Sequence, residues 1–168
     1  MGDPMQLKTL YALLIDELRG LYIAESLIQE VGTRLQQGAH ADPLKDALGT
    51  LQTGTGKHMQ RLEEIFSKLG ENPRGGAAEA VKSILETGEE RLGTGGDPRV
   101  VDAGMILVAR RLLSWQVASY GTLERYALRA GLEEVANLLE HSLDEEKSAY
   151  ALLGELAEQM ELKGSREA

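Results

Sequence analysis

Apolar residues recur every three or four positions over most of the chain. Leu7, Leu10, Leu14, Leu18, Leu21, Ile28, Val31 and Leu35 keep that rhythm with a single gap of seven. The spacing predicts an amphipathic helix from Met5 to Gln37, stopped by Gly38. Asp42-Pro43 reads as an N-cap followed by proline at the first helical position. A second stripe follows it through Leu44, Leu48, Leu51, Thr55, Leu62, Ile65 and Leu69, ending at Gly70. After the loop Glu71–Gly76 comes a short, weaker helix, Ala77 to Leu92, carried by Val81, Ile84 and Leu85. Asp97-Pro98 repeats the cap signal and opens a third long helix, reaching Ala130 before Gly131. The fourth runs from Leu132 to Leu162 on Val135, Leu138, Ala149, Leu152 and Leu156. No stretch alternates with the period of a strand.

Four long amphipathic helices must bury their stripes against one another. The expected fold is all-α, a ferritin-like four-helix bundle. Short turns join the first and last pairs, and a long crossover between the second and third long helices carries the short one. Residues 5–162 form this single unit. Residues 1–4 read as an extension before a native start at Met5, and residues 163–168 as a frayed tail.

Composition narrows the function. Among 168 residues, 18 Lys and Arg face 27 Asp and Glu, a net charge of −9. That balance disfavours nucleic acid and anionic membranes as partners. Cysteine is absent, which excludes disulfides, zinc–thiolate sites, iron–sulfur clusters and thiol catalysis. No run of 18 apolar residues occurs and no secretory signal is visible, so a cytoplasmic location is the expectation.

The informative positions are polar residues on apolar stripes. Glu25 falls between Leu21 and Ile28, and His58 between Leu51 and Leu62. Glu145 falls midway between Leu138 and Leu152, with His141 one turn before it on the same face. A carboxylate removed from water needs a partner, a proton or a metal. Two readings fit. Inward Glu and His from facing helices are how such bundles hold a di-metal centre. Alternatively, the same residues form an internal polar network in which His58 or Arg61 pairs the acids. Glu17, beside Asp16, belongs at the boundary of its stripe.

Other features carry less. Thr53-Gly54-Thr55-Gly56-Lys57 suggests a phosphate loop, but Leu51 and His58 stand where that motif needs Gly and Ser or Thr. Gly and Thr fill six of the eight positions from Gly49 to Gly56, a patch suited to close helix approach or a kink. Trp115 and Tyr120 read as packing residues, and His40 as a turn residue. No Ser–His–Asp arrangement can be assembled from the three histidines.

Taken in order, several segments resemble one family. They are Met5-Gln6-Leu7-Lys8-Thr9-Leu10, Leu21-Tyr22-Ile23-Ala24-Glu25 and His58-Met59-Gln60-Arg61-Leu62-Glu63. Ala118-Ser119-Tyr120-Gly121-Thr122-Leu123 and Leu143-Asp144-Glu145-Glu146-Lys147 complete the set. Together they resemble the YciE/YciF-type, ferritin-like bacterial stress proteins, from Met5 to about Leu156. The resemblance implies a bundle assembled as a homodimer, a stress context and a di-metal centre of inward Glu and His.

The chain departs from that pattern at the ligands. Where members carry His-Leu-Glu-Glu-Thr, this chain has Leu51-Gln52-Thr53-Gly54-Thr55. Where members carry Glu-His-Tyr-Glu, it has Leu113-Ser114-Trp115-Gln116, and His141 stands for a usual glutamate. Glu25, His58, His141 and Glu145 remain as metal candidates. The two carboxylates balance one divalent ion, whereas a full di-metal site uses four. The expectation is a vestigial or single-ion site with zinc a natural fit. No cofactor is expected beyond one divalent ion. The expected role is non-catalytic, by assembly or through an unidentified protein partner. The alternative is an oxidase or peroxide-handling enzyme with a reduced metal site.

Overall fold

A computed structural model describes residues 9–160. The extension expected over residues 1–4 and the tail expected over 163–168 lie outside them. The described residues form five helices: α1 (Leu10–Gly38), α2 (Asp42–Leu69), α3 (Glu79–Thr94), α4 (Pro98–Arg129) and α5 (Glu133–Gln159). The order and type of all five match the hydrophobic pattern. Among the described residues, no helix is long and apolar enough to cross a membrane.

Two antiparallel hairpins make up the body. α1 packs on α2, and α4 on α5. The hairpins meet through α2 against α5 and α1 against α4, while α3 lies over α1 and α4. The side chains that close this arrangement form two apolar clusters. One joins Leu14, Leu18 and Leu21 of α1 to Leu62 and Ile65 of α2, Leu123 of α4 and Leu139 of α5. The other joins Ile28, Val31 and Leu35 to Leu44, Leu48, Val81, Leu85, Met105, Leu113 and Leu153. Each fully buried Leu or Ile contributes roughly 1.5–3 kcal/mol. Trp115 packs against both clusters, as expected of a packing residue.

The ends of the helices show which local signals act. Asp97 caps α4, its carboxylate accepting from Arg99 N at 2.9 Å. Asp42 does not cap α2, contrary to expectation. The helix begins after Ala41 without a side-chain cap. The buried Asp102 of α4 serves the turn instead, accepting from His40 N at 2.8 Å and Ala41 N at 2.7 Å. Gly70 closes α2 in the left-handed conformation, φ 65°. Gly38 is the last residue of α1 rather than its stop. A β-carbon there would stand 2.5 Å from Leu92 Cδ2, so α3 packs on the space its missing side chain leaves.

Candidate metal centre

Between the two apolar clusters lies a layer of buried polar side chains. Glu25 comes from α1, Thr55 and His58 from α2, Gln116 and Tyr120 from α4, and Ser142 and Glu146 from α5. Each sits on the buried stripe of its helix, at the level where leucine gives way in all four. The layer is thus a property of register: one residue's shift on any helix would turn its member toward water.

Gln116 ties the layer together. Its Nε2 donates to Glu25 Oε1 at 3.0 Å and to Glu146 Oε1 at 2.8 Å. The Tyr120 hydroxyl donates to Glu25 Oε1 at 2.8 Å, and burial beside Glu25 keeps it protonated, well above the ordinary phenol range. His58 faces three carboxylates. Its Nδ1 lies 2.9 Å from Glu146 Oε1 and 3.4 Å from Glu25 Oε1. Both contacts are off the line of a good hydrogen bond, so Nδ1 gains charge attraction there without an aligned acceptor. Its Nε2 lies 2.8 Å from Glu145 Oε2.

Electrostatics follow from this geometry. Burial alone would strip the proton from His58, but Glu146 and Glu25 outweigh it and hold the imidazole protonated, pushed up to about 10. Glu146 shifts upward, chiefly through burial and against the pull of His58. Glu145 belongs to the rim. Arg61 clamps both its oxygens, at 2.7 and 2.8 Å, and with help from His58 holds its carboxyl down at about 2. Arg61 also donates to Ser142 Oγ at 3.2 Å.

Glu25 and His58 therefore converge as their stripe positions indicated. The other two candidates need correction. His141 is exposed and does not reach the layer. Glu145 touches His58 from outside, its side chain 41 % exposed. The inward carboxylate of α5 is Glu146 rather than Glu145. The reason is register. The buried face of α5 is Val135, Ala136, Leu139, Ser142, Leu143, Glu146 and Leu153, one residue beyond the Leu138–Glu145–Leu152 line. Leu152 is in fact 43 % exposed. Val135 alone fitted both lines; following Ala136, Leu139 and Leu143 would have found Glu146. Glu17 is exposed, and His40 lies in the α1–α2 turn with Nδ1 3.3 Å from Asp102 Oδ1.

Glu25, His58 and Glu146 each offer one ligand atom, all within 4.8 Å of one another. Glu25 Oε2 is buried without a hydrogen-bond donor. These residues fit a single cation, with an orphaned oxygen to receive it. Gln116 directs a donor at both carboxylates, where a second ion would need an acceptor. His58 must lose its proton before it can ligate any ion.

The sequence matches the family described as "Domain of unknown function (DUF892)" over residues 9–164. It is 26 % identical over 154 residues to the protein YciF of Escherichia coli K12, covering 91 % of this chain and 93 % of YciF. The crystal structure of that stress protein superposes with a TM-score of 0.88 at 25 % identity, covering 93 % of this chain and 99 % of YciF. YcfI from Rhodopseudomonas palustris superposes with a TM-score of 0.86 at 29 % identity, covering 90 % and 97 %. In sequence and in fold, the chain belongs to the DUF892 family, with YciF-type proteins as its relatives.

Proposed function

We propose that this chain is a ferritin-like four-helix bundle protein that acts by assembly or partner binding, its metal centre reduced to a site for one divalent ion at most. The observation that carries this reading is Gln116. An amide donates to Glu25 and Glu146 at the position where YciE/YciF-type proteins carry a glutamate. Gly54 and Leu113 stand at two further positions of that kind and line an apolar cavity beside the layer. Without an ion, His58 and Arg61 answer the carboxylates: His58 lies against Glu145 and Glu146, and Arg61 against Glu145. A stress context comes from the YciF relatives, and a structural role from YcfI, provisionally described as a structural protein.

Assembly as a homodimer is part of the proposal, as is a cytoplasmic location. Val100 and Leu107, seven residues apart on α4, are 58 % and 44 % exposed and offer an apolar face for a second copy. Light scattering should report a dimer, and Leu107→Glu should shift it to monomer. Elemental analysis of untagged protein tests the metal reading, with zero or one ion per chain expected.

A second reading rests on the orphaned oxygen of Glu25 beside His58 and Glu146. These three residues would hold one divalent cation, which would supply Lewis acidity or redox chemistry of the oxidase or peroxide-handling kind. Glu25→Ala and His58→Ala variants that fold normally and lose a tightly held ion would favour it.

A further inference from the structure

A cavity of about 630 Å3 extends from the polar layer into the apolar half of the molecule. All five helices contribute to its walls, through side chains such as Ile28, Leu48, Leu85, Leu112 and Leu153. It opens between α2 and α5, where the exposed Thr53, Lys57, Asp144 and Ser148 form the rim. Pockets of roughly 300–1,000 Å3 with apolar walls and a few convergent polar groups are the usual form of small-molecule sites.

The inner end of this cavity is made by the buried His58, Gln116 and Glu146. Its chemistry is one-sided. Gln116 is 3 % exposed and spends its amide nitrogen on two carboxylates, so its carbonyl oxygen is left with no donor among the described residues. Glu146 is 2 % exposed; its Oε1 receives Gln116 and faces His58, while Oε2 accepts from no described residue. The cations are committed, His58 to Glu145 and Glu146, Arg61 to Glu145. Gln116 Oε1 and Glu146 Oε2 leave the inner end short of donors. A primary ammonium supplies them, with three N–H donors and no acceptor.

We propose that this cavity binds an amphiphile with a primary ammonium head and an aliphatic tail, the head donating to Glu146 and Gln116 and the tail lying along the leucine walls. Lys57 at the rim is the alternative anchor, for a carboxylate head in the reverse orientation. The unpaired acceptors at the inner end favour the amine.

Titration calorimetry of the whole chain with n-decylamine, decanoate and decanol, below aggregating concentrations, tests this. Decylamine is expected to bind one per chain, with decanoate about tenfold weaker or worse. Glu146→Gln should weaken decylamine about tenfold and leave decanol unchanged. Gly54→Leu keeps the test independent of the polar layer's stability. A β-carbon at Gly54 meets only His58 Cε1, at 3.9 Å, and leucine suits a helix better than glycine. The variant should fold, narrow the cavity beside His58 and weaken binding of all three probes. Decanoate binding as tightly as decylamine, or Gly54→Leu retaining decylamine affinity, would overturn the proposal.

Discussion

A single amide bridges two carboxylates in the buried layer of this protein. Gln116 is neutral, and its nitrogen satisfies one oxygen on each of two carboxylates from different helices. Glutamate there would aim a third carboxylate at Glu25 and Glu146. Gln116→Glu should therefore destabilise the metal-free protein by about 3 kcal/mol at pH 7, the cost of an uncompensated buried charge. Its folded pKa would be raised, so the loss should shrink on acidification; urea unfolding at pH 5 and pH 7 measures both. His58 makes the complementary prediction. Its proton is held up to about 10 in the folded chain, against 6.5 ordinarily. A raised folded pKa stabilises fully below pH 6.5, progressively less above it, and not at all beyond about pH 10. The stability gap between wild type and His58→Gln should be widest near pH 6 and closed by pH 10. A gap that stays constant across that window would mean the imidazole is neutral.

Helix by helix, the polar layer exists because each stripe is interrupted at the same level. α1 and α2 were readable because Glu25 and His58 are flanked by leucine and isoleucine at unambiguous spacing. α5 was not, because Leu138, Leu139, Leu152 and Leu153 offer two stripes one residue apart. Only packing against α2 and α4 decides that Leu139 and Leu153 are the buried members. That single ambiguity exchanged Glu145 for Glu146 and brought in His141. Gln116 carried no periodic signal of its own, since an amide on an apolar stripe passes for a boundary residue. The cap of α2 was misread for a different reason: its partner, Asp102, lies on another helix, beyond any local pattern. Asp102 is 2 % exposed and satisfies two backbone N–H groups of the α1–α2 turn. Asp102→Ala should cost about 2–3 kcal/mol in urea unfolding, for two buried donors left unpaired. Asp42→Ala should cost far less, because the Asp42 side chain caps nothing.

For the molecule as a whole, two apolar clusters supply the stability and the layer between them supplies the chemistry. The clusters would hold the two hairpins together even if the layer were neutral. The layer instead keeps three carboxylates, answered between them by His58, Arg61, Gln116 and Tyr120. On the proposed reading, such a layer takes one divalent ion at most. The most direct test is the metal content of untagged protein, counted by elemental analysis after dialysis. No ion, or one per chain, is the predicted result. Two ions of iron or manganese per chain would contradict the account, because the second would have to displace the amide of Gln116 from Glu25 and Glu146.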